Sequence, residues 1–121
     1  MFIYNVSFMG YNSPLKTNWR KGKLPTVKKG FYGDVLTQQN LSLEHLKPHS
    51  KGGKTEIGNL VLASQDKNTR RGNEDIKKFA DKQTVVDYLI QFIGVKLRDF
   101  NGDSYILKVL NTLRELGVDI H

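Results

Sequence analysis

The chain has 121 residues and no cysteine, and its formal net charge is +7 with an isoelectric point of about 9.7. Disulfide bonds and thiolate zinc sites are therefore excluded. No apolar run approaches the ~20 residues of a membrane-spanning helix, and the apolar start at Met1 lacks the features of a signal peptide. We expect one compact domain in the cytoplasm, without membrane contact, and a polyanionic partner.

The positive charge is concentrated in the first two thirds of the chain. Residues 1–40 carry a net charge of +5, residues 41–73 carry +3 and residues 74–121 carry −1. Lysines that served only solubility would be expected to be dispersed, so this asymmetry favours a nucleic-acid partner. For any single lysine, a solvated position is the simpler interpretation.

The first 40 residues are predicted to form one strand and a basic arm. Alternation of apolar and polar residues over 2–8 predicts a short strand, which the Asn12-Ser13-Pro14 cluster ends. From Lys16 to Lys29 the chain is basic and is interrupted by Gly22 and Pro25, which indicates an irregular arm. Its candidates for phosphate contacts are Arg20, Lys21 and Lys23. The aromatic residues could stack on bases, but anchoring to the core is favoured for Trp19, Phe31 and Tyr32.

The middle of the chain is predicted to form a hairpin followed by a helix. Alternation over Leu41–Leu46 indicates a strand, and the β-prone run Asn59–Leu62 could pair with it across a long loop. Ser64 is a candidate N-cap for a helix that runs through Asn68–Arg71, and Gly72 ends it.

Residues 74–121 are predicted to be mostly helical. One helix is expected over Asp81–Ile93, and a second is expected to begin at Ser104 as N-cap and to end at Gly117. The apolar stripes that we expect to enter the core are Val85, Tyr88, Leu89 and Phe92 on the first helix, and Ile106, Val109, Leu110, Leu113 and Leu116 on the second.

The side chains of the middle segment suit phosphodiester hydrolysis, which needs a base, a cation and groups that hold the backbone. His45 is a natural base because imidazole titrates near neutral pH. Glu44 would point to the opposite face of a regular strand, so a local bend is needed to bring both groups together. Asn68 offers an amide oxygen, and one carboxylate with one amide oxygen suits Mg²⁺.

The stretch Leu43–Asn73 resembles the HNH endonuclease motif of the ββα-metal nucleases. The match consists of an acidic residue before His, then Pro, a Gly-Gly pair, Asn-Leu-Val-Leu, an Asn nine residues after Asn59, and a basic exit. The resemblance implies an α+β fold with a ββα-metal core over residues 41–73, preceded by the N-terminal strand and basic arm and followed by two C-terminal helices. All 121 residues would form this single domain.

The resemblance also implies roles for the site residues. His45 would be the general base, and Asn59 would tie down the loop that positions His45. Glu44 and Asn68 would hold the metal, although Asp is more common than Glu at the acidic position. Asn68 stands where the third letter is usually His, so the chain is an H-N-N variant for which Mg²⁺ or Mn²⁺ is expected. His49 is interpreted as a surface residue of the loop.

We therefore predict a metal-dependent endonuclease that cleaves double-stranded DNA by one-metal hydrolysis, through nicking or double-strand cleavage. A phage or mobile-element origin is implied by the family, and the compartment would then be the host cytoplasm. One alternative is a non-catalytic DNA-binding or assembly protein on an HNH scaffold. Another is a branched-DNA resolvase, which would need a homodimer to cut symmetrically. Near the motif, the candidates for phosphate contacts are Lys47, Lys51, Lys67, Arg70 and Arg71.

Overall fold

The computed structural model describes residues 13–120, so the strand predicted over residues 2–8 lies outside the described residues. The fold is α+β, as predicted, and contains a two-stranded antiparallel sheet. The helices and strands are α1 (Pro14–Arg20), β1 (Leu41–His45), β2 (Leu60–Ser64), α2 (Gln65–Arg71), α3 (Lys82–Ile90) and α4 (Gly102–Glu115). Three single turns of 3₁₀ helix cover His49–Lys51, Ile57–Asn59 and Ile76–Lys78.

Helix α1 replaces the first part of the predicted irregular arm. The Ser13 hydroxyl caps the helix by accepting a hydrogen bond from the Lys16 amide at 3.3 Å, and Pro14 occupies the first turn. The prediction of an irregular arm is wrong over these residues. A Ser-Pro pair is typical of a turn, but it also suits the start of a helix, with Ser as the cap and Pro in the first turn. Leu15 lies on the buried side of α1 and Arg20 remains exposed at its end.

The aromatic residues of the basic segment anchor it to the core, as predicted. The Trp19 indole donates a hydrogen bond to the Val27 carbonyl at 2.7 Å. Phe31 is buried and packs edge-on against Tyr32 and Tyr88, with ring centroids 5.3 Å and 5.8 Å away. Lys21 and Lys23, like Arg20, stay exposed between these anchors.

Strands β1 and β2 form the predicted hairpin with a long loop. The register places Leu41 opposite Ser64 and His45 opposite Leu60. Every residue of β2 is buried. Strand β2 therefore lies inside the molecule, whereas Leu43 and His45 of β1 are half-buried. Helix α2 follows β2 immediately.

The second edge of β2 is covered by groups from other segments, since buried backbone groups must be paired. The Phe31 amide donates to the Leu62 carbonyl at 2.8 Å, and the Leu62 amide donates to the Tyr88 hydroxyl at 2.9 Å. The Tyr105 hydroxyl donates to the Leu60 carbonyl at 2.7 Å and lies 2.8 Å from that of Tyr88. These bonds connect α3 and α4 directly to the strand.

Helix α2 begins and ends at the predicted residues. The Ser64 side chain accepts a hydrogen bond from the Lys67 amide at 3.3 Å. Gly72 ends the helix with a positive φ of 54°, a conformation that glycine adopts without strain. Asn68 and Arg71 are three residues apart and therefore share the face of α2 that meets β1.

The C-terminal helices differ from the prediction at their ends. Helix α3 stops at Ile90 rather than Ile93. Helix α4 is capped by Asn101, whose side chain accepts from the Ser104 amide at 2.8 Å, so Ser104 is not the cap. Asn caps a helix as well as Ser does. Gly102 must lack a Cβ, which would stand 1.9 Å from the Phe92 carbonyl oxygen.

The hydrophobic core contains buried residues from every part of the described chain, from Leu15 to Leu113. The predicted stripe of α3 is buried together with Phe92, which follows that helix. On α4, Val109 and Leu113 are buried, whereas Ile106, Leu110 and Leu116 are half-buried. Among residues 13–120, no helix combines the length and apolar character that crossing a bilayer requires.

Candidate active site

A cleft of about 410 Å³ opens where β1 ends and α2 crosses the hairpin. Glu44, His45 and Asn68, the three residues predicted to act on metal and water, all line this cleft. The other lining residues are Pro48, His49, Ser50, Gly72 and Asn73. The structure therefore brings the predicted chemical groups to one place.

Glu44 and His45 share the cleft although they are neighbours on a strand. Successive residues of a regular strand point to opposite faces. His45 is the last residue of β1, so this alternation need not continue through it. The cleft lies at the end of β1 and is lined by both residues.

The carboxylate of Glu44 is buried, and two donors approach the same oxygen. The Tyr32 hydroxyl donates to Oε2 at 2.6 Å, and Nη1 of Arg71 lies 3.4 Å from Oε2. Burial raises the pKa of Glu44, while the Tyr32 hydrogen bond and the Arg71 charge oppose that rise. A backbone hydrogen bond from His45 also stabilises the carboxylate. Tyr32 and Arg71 both use Oε2, so neither of these two side chains occupies Oε1.

Arg71 is buried, so the prediction that it contacts phosphate is wrong. Its Nη1 donates to the His45 carbonyl at 2.6 Å and its Nη2 to the Leu46 carbonyl at 2.7 Å. Its Nε donates to the Glu74 carbonyl at 2.9 Å. The planar guanidinium thus fixes the backbone at the end of β1 beside Glu44.

His45 is half-buried, and its ring is held from the loop. Nε2 lies 3.0 Å from the Thr55 hydroxyl oxygen. Burial lowers the pKa of His45, and the nearby charges of His49 and Arg71 lower it further. The His49 ring stands edge-on to His45 with centroids 6.3 Å apart. The direction of this pKa shift favours the neutral imidazole, which is the form that accepts a proton.

Asn68 has its amide nitrogen fixed by β1. Nδ2 donates to the Leu43 carbonyl at 3.1 Å and to the Ser42 hydroxyl at 2.8 Å. A carbonyl oxygen can only accept, so the orientation of the amide is defined. Within the described residues no hydrogen bond reaches Oδ1, which leaves that oxygen for a ligand.

Asn59 is buried and joins the two ends of the loop between the strands. Its Nδ2 donates to the carbonyls of Lys47 and Lys54 at 3.1 Å and 2.9 Å, and its Oδ1 accepts from the Lys47 amide at 2.8 Å. Gly53 lies under this crossing, where a Cβ would stand 1.8 Å from the Lys47 carbonyl oxygen. Asn59 therefore acts on the loop and does not line the cleft.

The remaining cations predicted to meet phosphate lie at the surface. Arg70 points away from the hairpin and pairs with Asp66 at 3.4 Å, with both side chains more than two-thirds exposed. Lys47 and Lys51 are exposed in the loop, and Lys67 is half-exposed on α2. These side chains can reach a partner in solution, as those of Arg20, Lys21 and Lys23 can.

By chemical type, the carboxylate of Glu44 and the amide oxygen of Asn68 are ligands that a hard divalent cation accepts. Between residues 13 and 120, no three His, Cys, Asp or Glu side chains group into a metal site. A cation here would instead depend on the Glu44 carboxylate and Oδ1 of Asn68, since Mg²⁺ is commonly held by few protein oxygens together with water and phosphate.

Two residues that contact the site, Tyr32 and Thr55, are not predicted from the sequence to do so. For Tyr32 the sequence favours anchoring of the basic segment over stacking on bases, and it gives no indication of a role for Thr55. Tyr32 contacts Glu44, 12 positions further along the chain, and Thr55 contacts His45, 10 positions before it. No periodic pattern links such pairs, and only the chemical type of the side chain could have suggested them.

No protein-family model, curated protein or solved structure matches this chain.

Proposed function

We propose that this protein is a metal-dependent endonuclease of the H-N-N type that hydrolyses phosphodiester bonds in double-stranded DNA. The observation that carries the proposal is the single cleft lined by Glu44, His45 and Asn68, in which an imidazole lies beside two oxygen donors. The net charge of +7 supports a polyanionic substrate, because basic proteins gain affinity for DNA by releasing its counterions.

His45 acts as the general base. In its neutral form it takes a proton from a water molecule, and the water oxygen attacks the phosphorus. The bond between phosphorus and the 3′ oxygen breaks, and the 3′ oxygen gains a proton. The products carry 5′-phosphate and 3′-hydroxyl ends. The lowered pKa of His45 supports this role, since it favours the neutral ring that can accept a proton.

Glu44 and Asn68 would hold Mg²⁺ or Mn²⁺. When bound, the cation offsets charge on the phosphate and on the leaving oxygen. The protein's own contribution is to keep both oxygen donors in place. Tyr32 and Arg71 hold the Glu44 carboxylate, and β1 holds the Asn68 amide. Asn59 keeps the ends of the loop together and so supports the segment that carries Thr55.

The experiment that tests this proposal is cleavage of supercoiled plasmid with Mg²⁺ and with EDTA. We expect nicked or linear product only with the metal. His45→Ala should slow cleavage by about 10²- to 10⁴-fold, the usual contribution of a general base. The matched control is His49→Ala, which removes the exposed imidazole of the same cleft and should slow cleavage far less than His45→Ala does.

DNA binding measured on the same samples distinguishes the proposed endonuclease from a non-catalytic DNA-binding protein. His45→Ala should bind DNA as the wild type does, because the substitution leaves the basic surface unchanged. A protein that binds plasmid yet produces no nicks with Mg²⁺ or Mn²⁺ would contradict the endonuclease assignment. Linear and branched DNA tested in parallel show whether structure-selective cleavage is the better description.

A further inference from the structure

The contact between His45 and Thr55 is the feature from which we infer a further role. Nε2 of His45 lies 3.0 Å from Oγ1 of Thr55, and within the described residues the ring makes no other hydrogen bond. Thr55 is exposed, so its side chain contributes little to the core. Its hydroxyl is thus placed where it acts mainly on the imidazole.

The loop presents the Thr55 hydroxyl without help from His45. On one side of Thr55, the carbonyl of Lys54 accepts a hydrogen bond from the buried Asn59 side chain at 2.9 Å. On the other side, the carbonyl of Glu56 accepts from the Asn59 amide at 2.9 Å. A β-branched side chain also has few rotamers. The loop therefore holds the backbone on both sides of Thr55, and the β-branched side chain leaves few positions for Oγ1.

The direction of this hydrogen bond decides which ring nitrogen can act as the base. A neutral imidazole has one N–H and one lone pair. If Thr55 donated to Nε2, the proton would be on Nδ1 and no lone pair would remain for water. If Thr55 accepts from Nε2–H, the lone pair is on Nδ1, which makes no hydrogen bond within the described residues. Free histidine also prefers the Nε2–H form.

We propose that Thr55 is a positioning residue that accepts a hydrogen bond from Nε2–H of His45, and that Nδ1 is the nitrogen that takes the proton from water. This inference rests on the proposed nuclease function. When Nδ1 gains the proton, the ring becomes cationic and its Nε2–H donates more strongly to Oγ1. The contact is therefore stronger in the transition state than in the ground state, which accelerates the chemical step.

Two substitutions at Thr55 test the role of the hydroxyl. Thr55→Val keeps the shape and loses the acceptor, and Thr55→Ser keeps the acceptor. We expect Thr55→Val to lower kcat by about tenfold to a hundredfold with little change in KM, the range for losing one hydrogen bond to a charged group. Thr55→Ser should restore most of the rate. Equal losses in both variants would overturn the inference.

A second measurement does not depend on cleavage. The ¹⁵N chemical shifts of the histidine rings report which nitrogen carries the proton, and His49 provides an internal reference in the same cleft. Wild type and Thr55→Ser should show His45 as Nε2–H, and Thr55→Val should show a mixture of the two tautomers. A wild-type ring protonated on Nδ1 would overturn the inference.

The two measurements also separate this inference from the proposed function. If wild type cleaves and His45→Ala does not, but Thr55→Val matches wild type in rate and tautomer, Thr55 has no positioning role and the nuclease assignment stands. If wild type shows Nε2–H and Thr55→Val shows the mixture but no protein cleaves DNA, the hydrogen bond is as described and the nuclease function fails. The inferred role in catalysis is then overturned with it.

Discussion

The Nη1 nitrogen of Arg71 lies 3.4 Å from Oε2 of Glu44, and both side chains are at most 5% exposed. A buried charge is costly unless it is paired and its remaining groups are hydrogen-bonded. Arg71 meets this condition with three backbone carbonyls, and Glu44 meets it with the Tyr32 hydroxyl. The pair joins α2 to the end of β1, where His45 lies.

Arg71→Met should destabilise the fold, because it leaves the buried Glu44 carboxylate without its charged partner. We expect a loss of about 3–5 kcal/mol in the free energy of unfolding, measured by urea denaturation. Arg70→Met is the matched control, since Arg70 is exposed, and it should leave stability nearly unchanged. Adding Glu44→Gln to Arg71→Met should recover part of the loss. An unchanged midpoint for Arg71→Met would contradict the structural role.

Tyr32→Phe should weaken metal binding without removing the ligand. The substitution deletes the hydroxyl that donates to Oε2 of Glu44 at 2.6 Å and leaves that carboxylate less firmly held. We expect the Mn²⁺ concentration for half-saturation, followed by electron paramagnetic resonance, to rise about five- to tenfold. Trp19→Phe removes a hydrogen bond elsewhere in the same segment and serves as the control. If both variants bind Mn²⁺ equally, Tyr32 only anchors the segment.

Asn68→Ala should raise the metal requirement of cleavage by at least about tenfold, because it removes the amide oxygen Oδ1. The Mg²⁺ dependence of the initial cleavage rate is the measurement. Asn73→Ala is the comparison, since Asn73 also lines the cleft but is exposed. A Mg²⁺ titration of Asn68→Ala that overlays the wild type would show that Asn68 does not hold the ion.

The lowered pKa of His45 makes a prediction about stability at acid pH. In the unfolded chain His45 titrates at about 6.5, so below that pH the unfolded state binds a proton that the folded state excludes. The stability of the wild type should therefore fall as the pH drops below about 6.5. The stability of His45→Ala should fall less over the same pH range, because this variant has no imidazole at position 45 to protonate. Urea unfolding of both proteins at about pH 7.5 and about pH 5.5 measures the difference.

The same pKa shift sets the acid limit of cleavage. Since protonated His45 cannot accept a proton, the rate should decline only at a pH below about 6.5, the ordinary value for histidine. The pH dependence of kcat/KM, which reports the free protein and not its complex with DNA, locates this limb. A limb above that value would contradict the lowered pKa of the base.

The hairpin and α2 could be predicted from local patterns. Alternation over residues 41–46, the Ser64 cap and the glycine at 72 are local signals, and each element lies where its signal placed it. Helix α1 was not predicted because Ser13-Pro14 suits both a turn and a helix start. Neighbouring residues alone do not distinguish these two outcomes.

The burial of Arg71 follows from its spacing to Asn68 in the sequence. Asn68 and Arg71 are three residues apart, so a helix that turns Asn68 toward the hairpin also turns Arg71 toward it. Arg70 then faces solvent, as it does in the structure. The contacts of Tyr32 and Thr55 had no comparable signal, because they depend on how separate segments pack together.

The tyrosine hydroxyls and the Phe31 amide that cover the edge of β2 have a consequence for handling the protein. An unpaired strand edge is a template on which further chains can add and grow into fibrils. In β2 the amide and carbonyl of Leu62 and the carbonyl of Leu60 are already engaged from within the molecule. These groups of β2 are therefore not free to pair with the strand of another chain.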